Sequence, residues 1–213
     1  MIKTVIFDWS GTLFNNVNIY YETMNAIFKE IRGKGISLDE MRLELTLPYM
    51  NFWNKYFPDL TKEKCDELFS QHMVSIKSIT PEGRLPTLYP YVKMTLDKLD
   101  KNGLLLCMVS SDPLNKIISF AEKEGIDEYF TEIYADAYEK ETYIRSIIEL
   151  RRLDCNETMY IDDLDGGILA GKVAGVKTVG AAYGFQHKRL LENAKPDYII
   201  DSIEQLLDIV LES

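Results

Sequence analysis

From residue 86 onward the chain alternates short apolar runs with amphipathic stretches, and several of the runs end in a polar residue. The runs are "LLLCMVS", "EIYA", "TMYID", "KTVGAA" and "YII". Between them lie "PLNKIISFAEKEG", "KETYIRSIIELRR" and "GGILAGKVAG", whose apolar residues recur at helical spacing. "YVKMTLDKLDKNG" leads in as a further helix, and a last one carries Ile203, Leu206, Leu207, Val210 and Leu211 on one face. Proline in a first turn and glycine after a last turn mark helix ends. Strands joined through helices need right-handed crossovers. The pattern therefore predicts a parallel sheet covered on both faces, a doubly wound α/β fold. Ligands of such sheets bind beyond the carboxyl ends of the strands. The residues that end the apolar runs are thus the first candidates for chemistry.

Four such stations stand out. "VIFDWSGTLFNN", residues 5–16, places Asp8 at a strand tip and breaks the strand at Gly11. Ser110 and Ser111 follow "LCMV", and Asp162 and Asp163 follow "MYI". Lys140 begins the helix between the last two. Taken singly, Asp8 could cap a turn, Ser110 could be a turn residue, and a lysine at a helix start is commonly exposed. Their recurrence at successive element ends is what points to a site.

From Ser37 to Ile79 no convincing strand is present. Ile19, Met24, Ile27, Phe28 and Ile31 set a helical period up to "GKG". "SLDEMRLEL" opens on a capping-type serine. "YMNFWNKYF" is aromatic on one side. "TKEKCDELFSQHMVSIKSI" aligns Cys65, Leu68, Phe69, His72 and Ile76. "TPEGRLPTLYP" reads as a linker. The expected organisation is an α/β core of residues 1–15 and 86–213 with a helical insertion of 16–85. Tyr49, Phe52, Trp53, Tyr56 and Phe57 are expected to form the core of the insertion.

A formal net charge of −10 argues against nucleic acid and anionic membrane partners. No apolar run approaches the roughly 20 residues needed to span a bilayer. Cys65, Cys107 and Cys155 share no metal-like spacing, and no targeting segment is evident in "MIKTVIFD". Both features predict a reducing, cytoplasmic setting. Cys107, inside an apolar strand, is expected to be a small buried hydrophobe. His72 and His187 lack carboxylate or cysteine partners at useful spacing and are expected to be structural or surface residues.

Together "FDWSGT", "MVSSD", Lys140 and "YIDDLDGGILAGKVAGVKTVG" resemble the four motifs of the haloacid dehalogenase-like hydrolase superfamily. The helical insertion resembles its cap. The resemblance implies a phosphoglycolate phosphatase-like enzyme acting on a small phosphorylated metabolite, as a monomer or homodimer. It implies that Asp8 is a nucleophile forming an aspartyl-phosphate. Ser110, with Ser111 beside it, would bind the phosphoryl group, and Lys140 would hold developing charge. Mg²⁺ would be held by Asp8, the Ser10 backbone carbonyl and Asp163, with Asp162 as a further ligand or a supporting partner.

The chain departs from the pattern in three places. Ser10 stands where the superfamily's phosphatases have a second aspartate that protonates the leaving oxygen. Its hydroxyl is a poor acid near neutral pH, so alkyl phosphates should suffer. Gly167 stands where an aspartate often supports the metal, with Asp165 near enough in sequence to substitute. "YEKETY" lacks the proline often found after the lysine. Phosphonoacetaldehyde hydrolases also have a small residue at the position of Ser10. They need a cap lysine, for which Lys29, Lys34, Lys55 and Lys62 are the choices. The metal-independent dehalogenases also lack the second aspartate, but the acidic "DDLD" argues against them. A binding protein that has lost catalysis is the remaining alternative.

Overall fold

The computed structural model describes residues 1–211. In chain order the strands are β1 Thr4–Phe7, β2 Phe14–Asn15, β3 Thr87–Leu88, β4 Leu105–Val109, β5 Glu132–Tyr134, β6 Thr158–Asp162, β7 Lys177–Ala181 and β8 Tyr198–Ile200. The helices are α1 Val17–Arg32, α2 Leu38–Glu44, α3 Tyr49–Tyr56, α4 Lys62–Ile79, α5 Val92–Lys101, α6 Leu114–Glu124, α7 Lys140–Arg151, α8 Asp165–Ala174, α9 Lys188–Ala194 and α10 Gln205–Leu211. Six strands form one parallel sheet in the order β5-β4-β1-β6-β7-β8. The first strand is therefore central. Phe7 is in register with Met108 on one side and Ile161 on the other. That register brings the ends of β1, β4 and β6 together, although they lie far apart in sequence.

Alternation along the strands fills two cores. Val5, Phe7, Leu106, Met108, Met159 and Ile161 face α5, α6 and α10. Ile6, Cys107, Val109 and Tyr160 face Ile144 and Ile147 of α7. Cys107 is fully buried, as its place in an apolar strand predicts.

The helices α1 to α4 bury a third cluster of their own. Phe28 is at its centre, with ring centroids 5.5 Å from Trp53, 5.0 Å from Tyr56 and 4.9 Å from Phe57. The aromatics of α3 are thus packing residues, as expected. Ser37 Oγ accepts from the Glu40 amide at 3.1 Å and Thr61 Oγ1 from the Lys64 amide at 3.3 Å, which caps α2 and α4. Phe185, from beyond β7, inserts into this cluster and ties it to the sheet.

Two elements differ from the expectation. Part of the stretch read as a linker is β3, which pairs antiparallel with β2. This short ribbon clamps together the two chain ends that enter and leave the helical insertion. α9 is not expected from the sequence, because it buries only Leu191 and so shows no apolar stripe at helical spacing. His187 caps it through Nδ1, which accepts from the Arg189 amide at 3.2 Å. His72 meets Glu30 at 2.7 Å between α4 and α1, a partner supplied by packing rather than spacing. Among the described residues no helix is long and apolar enough to cross a membrane.

Candidate active site

Asp8 extends the central ladder by one bond, its amide donating to Ile161 O at 2.9 Å. The chain then turns sharply, with the Leu13 and Phe14 amides donating to Trp9 O at 2.9 and 2.8 Å. Gly11 sits in this turn at φ 87°, and a Cβ there would lie 2.1 Å from Asp163 Oδ2. Both the backbone conformation and the approach of the carboxylate require glycine. Asp163 accepts from Thr12 Oγ1 at 3.3 Å and from the Phe185 amide at 2.6 Å. The turn after β1 and the loop after β7 therefore fix it from two sides.

Lys140, the first residue of α7, is buried, with 7% exposure. Its ammonium donates to Asp8 Oδ1 at 2.8 Å and to Asp162 Oδ2 at 2.7 Å. Asp162 Oδ2 also accepts from the Tyr160 hydroxyl at 2.6 Å, and its Oδ1 accepts from the Leu164 amide at 2.8 Å. Gly167 explains how this carboxylate fits. A Cβ at 167 would lie 1.9 Å from Asp162 Oδ2, so the departure from the motif makes room for Asp162. Asp165 is engaged elsewhere. Its amide donates to Gln186 Oε1 at 2.6 Å and its Oδ1 accepts from Gln186 Nε2 at 2.9 Å.

Asp8, Asp162 and Asp163 each offer a carboxylate oxygen within 4.8 Å of the others. Three buried carboxylates face one lysine. Burial pushes the Asp8 carboxyl up to about 7; Lys140 opposes this and Asp162 adds to it. Burial, then Asp162 and Asp8, push Asp163 well above the usual carboxylate range. Burial alone would lower Lys140, but Asp162 and Asp8 outweigh it and hold the ammonium well above its ordinary value.

Folded Asp8 holds its proton more tightly than the unfolded chain does, so its contribution to stability is full below pH 3.8. That contribution is lost as pH rises through about 7. In chelator, thermal stability should fall over this window. An added divalent cation should restore it more at about pH 8 than at about pH 5, because the ligands must be deprotonated. Thermal melts at the two pH values read this. Equal cation shifts at both would show that the cluster is not the binding site.

Ser110 and Ser10 meet at a residue not singled out in the sequence. Ser10 Oγ donates to Asp112 Oδ2 at 2.6 Å, and Ser110 Oγ donates to the same oxygen at 3.3 Å. The Asp112 amide donates back to Ser110 Oγ at 3.1 Å, and Asn16 Nδ2 donates to Ser10 Oγ at 3.0 Å. The one available signal was a carboxylate two residues past Ser110 at a strand end. Ser111 is exposed and has no side-chain hydrogen bond to the cluster among the described residues.

The helical insertion closes on the loop that holds Asp163. Arg42 donates to the carbonyls of Tyr183 and Gly184. Its own carbonyl accepts from the His187 amide at 3.0 Å. Gln186 Nε2 donates to Leu45 O at 2.7 Å, and Tyr20 packs edge-on against Phe185 at 5.1 Å. Thr12, Arg42, Tyr160, Asp112 and Gln186 are not singled out in the sequence, and apart from the place of Asp112 two residues past Ser110 no spacing marks them as part of a site.

Comparison with known proteins agrees with this arrangement. The sequence profile described as haloacid dehalogenase-like hydrolase matches residues 5–181. A phosphoglycolate phosphatase of Vibrio parahaemolyticus is 30% identical over all of this chain and 97% of its own length. A pyrophosphatase, PpaX, of Oceanobacillus iheyensis is 25% identical over all of this chain and 98% of its own. A solved haloacid dehalogenase-like protein of unknown function from Agrobacterium tumefaciens superposes with a TM-score of 0.79 at 18% identity. That match covers 100% of this chain and 99% of the other, a likeness of fold alone. With the profile spanning most of the chain and four polar stations gathered at one edge of the sheet, the chain belongs to the haloacid dehalogenase-like hydrolases.

Proposed function

We propose that this hydrolase is a Mg²⁺-dependent phosphatase of a small phosphorylated metabolite, working through an aspartyl-phosphate on Asp8. The observation that carries the reading is the buried cluster of Asp8, Asp162 and Asp163 around Lys140 at the carboxyl end of the central strands. Its excess negative charge fits a hard cation with oxygen ligands. Asp8 and Asp163 would hold it, with Asp162 as a supporting partner that already accepts three hydrogen bonds, one of them from the Lys140 ammonium. Bound Mg²⁺ supplies neutralisation of the repulsion between an anionic nucleophile and phosphoryl oxygens.

The protein groups divide the remaining work. Lys140 favours the Asp8 anion, holds its carboxylate in place and offers charge to the phosphoryl group. Asp162 and Tyr160 in turn anchor Lys140. Ser110 donates a hydrogen bond to a phosphoryl oxygen, with Ser111 at the rim. The contacts of Arg42, Leu45 and Tyr20 with residues 183–187 keep the helical cap over the site and exclude water. Such a closed site suits a small substrate. The phosphoglycolate phosphatase and pyrophosphatase among the relatives support phosphate esters or anhydrides as the substrate class.

Cleavage of a P–C bond through a cap lysine has less support. Lys29, Lys34, Lys55 and Lys62 are all exposed, and Lys55 and Lys62 pair with Glu44 and Asp66. The test is a panel of alkyl and aryl phosphates, pyrophosphate and phosphonoacetaldehyde, assayed with Mg²⁺ and with EDTA. Phosphate release that needs Mg²⁺, and a sharply raised Mg²⁺ requirement in Asp163→Ala, are expected. Full activity in EDTA, or no turnover of any compound, would overturn the proposal.

A further inference from the structure

We infer that Arg42, on the helical cap, is a positioning residue for Asp163, acting through the peptide group that joins Gly184 to Phe185. The inference rests on the metal-dependent reading above. Arg42 lies on α2 and Asp163 follows β6, so the two are distant in sequence. In space one peptide group stands between them. Its carbonyl, Gly184 O, accepts from Arg42 Nη2, and its N–H, on Phe185, donates to Asp163 Oδ2 at 2.6 Å. The same Nη2 donates to Tyr183 O at 3.3 Å. Among the described residues these two carbonyls are the only acceptors of the Arg42 side chain, which forms no ion pair.

No side chain separates this peptide from the carboxylate. A Cβ at position 184 would lie 2.2 Å from Asp163 Cβ and 2.4 Å from Asp163 Oδ2. Among the described residues the other donor to Asp163 is Thr12 Oγ1, at 3.3 Å. The Phe185 amide is the closer of the two, so the plane of its peptide fixes where Oδ2 points. A guanidinium bonded to the carbonyl also polarises the peptide, which makes its N–H a stronger donor. Arg42 thus orients the group that holds Asp163 and strengthens its hold.

The grip of the cap is broader than one bond. Arg42 O accepts from the His187 amide at 3.0 Å, and Leu45 O accepts from Gln186 Nε2 at 2.7 Å. The Phe185 ring is buried in the cluster of the cap helices. Residues 183–187 are held by the cap while they hold Asp163, so a docked cap and an ordered Asp163 belong to one arrangement. A divalent cation that uses Asp163 binds the docked form more tightly. By reciprocity its binding strengthens docking.

Calorimetric titration with MgCl₂, in the absence of substrate, reads this coupling. Arg42→Met keeps the apolar stem and removes the donors. It should weaken Mg²⁺ binding by about 10-fold, the lower end of the cost of losing a partner that orients a metal ligand, because Arg42 acts through the peptide. Arg42→Lys should recover most of the loss, since one nitrogen serves both carbonyls and an ammonium has three donors. A residue that only docks the cap over substrate would leave Mg²⁺ affinity without substrate unmoved. Hydrogen exchange at the His187 amide, whose acceptor lies in the cap, gives a second reading in the unsubstituted protein and serves if Arg42→Met does not fold. Saturating Mg²⁺ should slow that exchange. Equal Mg²⁺ affinities in the unsubstituted and Arg42→Met proteins, an Arg42→Lys protein as weak as Arg42→Met, or His187 exchange indifferent to Mg²⁺ would overturn the inference and leave the metal site in place. Absence of Mg²⁺ binding by the unsubstituted protein would remove the metal-dependent reading, and the role of Arg42 with it.

Discussion

Asp8→Asn should reduce turnover of any confirmed phosphate ester by about 10⁴-fold or more while leaving the protein folded. Asparagine has nearly the same shape and can still accept from Lys140, but its amide does not attack phosphorus. The effect on stability should have the opposite sign to that on activity. Asp8 is a buried carboxylate pushed up to about 7, so its ionised form costs the folded state free energy. With chelator present, Asp8→Asn should therefore melt at a higher temperature than the unsubstituted protein above about pH 7. Below about pH 5, where Asp8 is protonated in the folded chain, the gain should vanish. Steady-state kinetics and melts at two pH values measure both. A variant with undiminished kcat would remove Asp8 as nucleophile. A lower melting temperature at high pH would show that the carboxylate is a structural anchor.

Replacement of Lys140 should be the most damaging single change to stability in the site. Its ammonium is the counterion of two buried carboxylates, at 2.8 and 2.7 Å. Removing one partner from a buried ion pair typically costs about 3–5 kcal/mol, because the other charge is left unpaired. For a chain of this length that corresponds to a fall in Tm of roughly 10 °C. Lys140→Met, which keeps the apolar stem, should show this loss and no measurable turnover. The loss should be smaller at about pH 5 than at about pH 8, since protonation of Asp8 removes part of the unpaired charge. A change in Tm within a degree or two would mean that the pair with Asp8 and Asp162 contributes nothing, and the electrostatic account of the cluster would fall with it.

Strand and helix identity, the parallel sheet and the strand-end residues were legible because each depends on short-range pattern. Apolar runs of four or five residues, glycine stops and helical periodicity are properties of neighbouring positions. Asp8, Ser110, Lys140, Asp162 and Asp163 could be named for the same reason, since each ends or begins an element. What tertiary structure decided is which ends meet. Linear order does not state that β4 and β6 flank β1, and only that order brings Asp112 to Ser10 across 102 positions. Gly167 reads in sequence as a lost aspartate, yet in space it is the gap that the Asp162 carboxylate fills. Asp165 reads as a nearby substitute, yet Gln186, 21 positions on, takes up its carboxylate. Arg42 reaches the loop of Asp163 only because α2 packs against it. Periodicity and element ends are set by interactions a few residues long, whereas the carboxylate beside Ser10, the room for Asp162 and the cap contacts arise when distant segments share one dry volume, where each charge must find a partner.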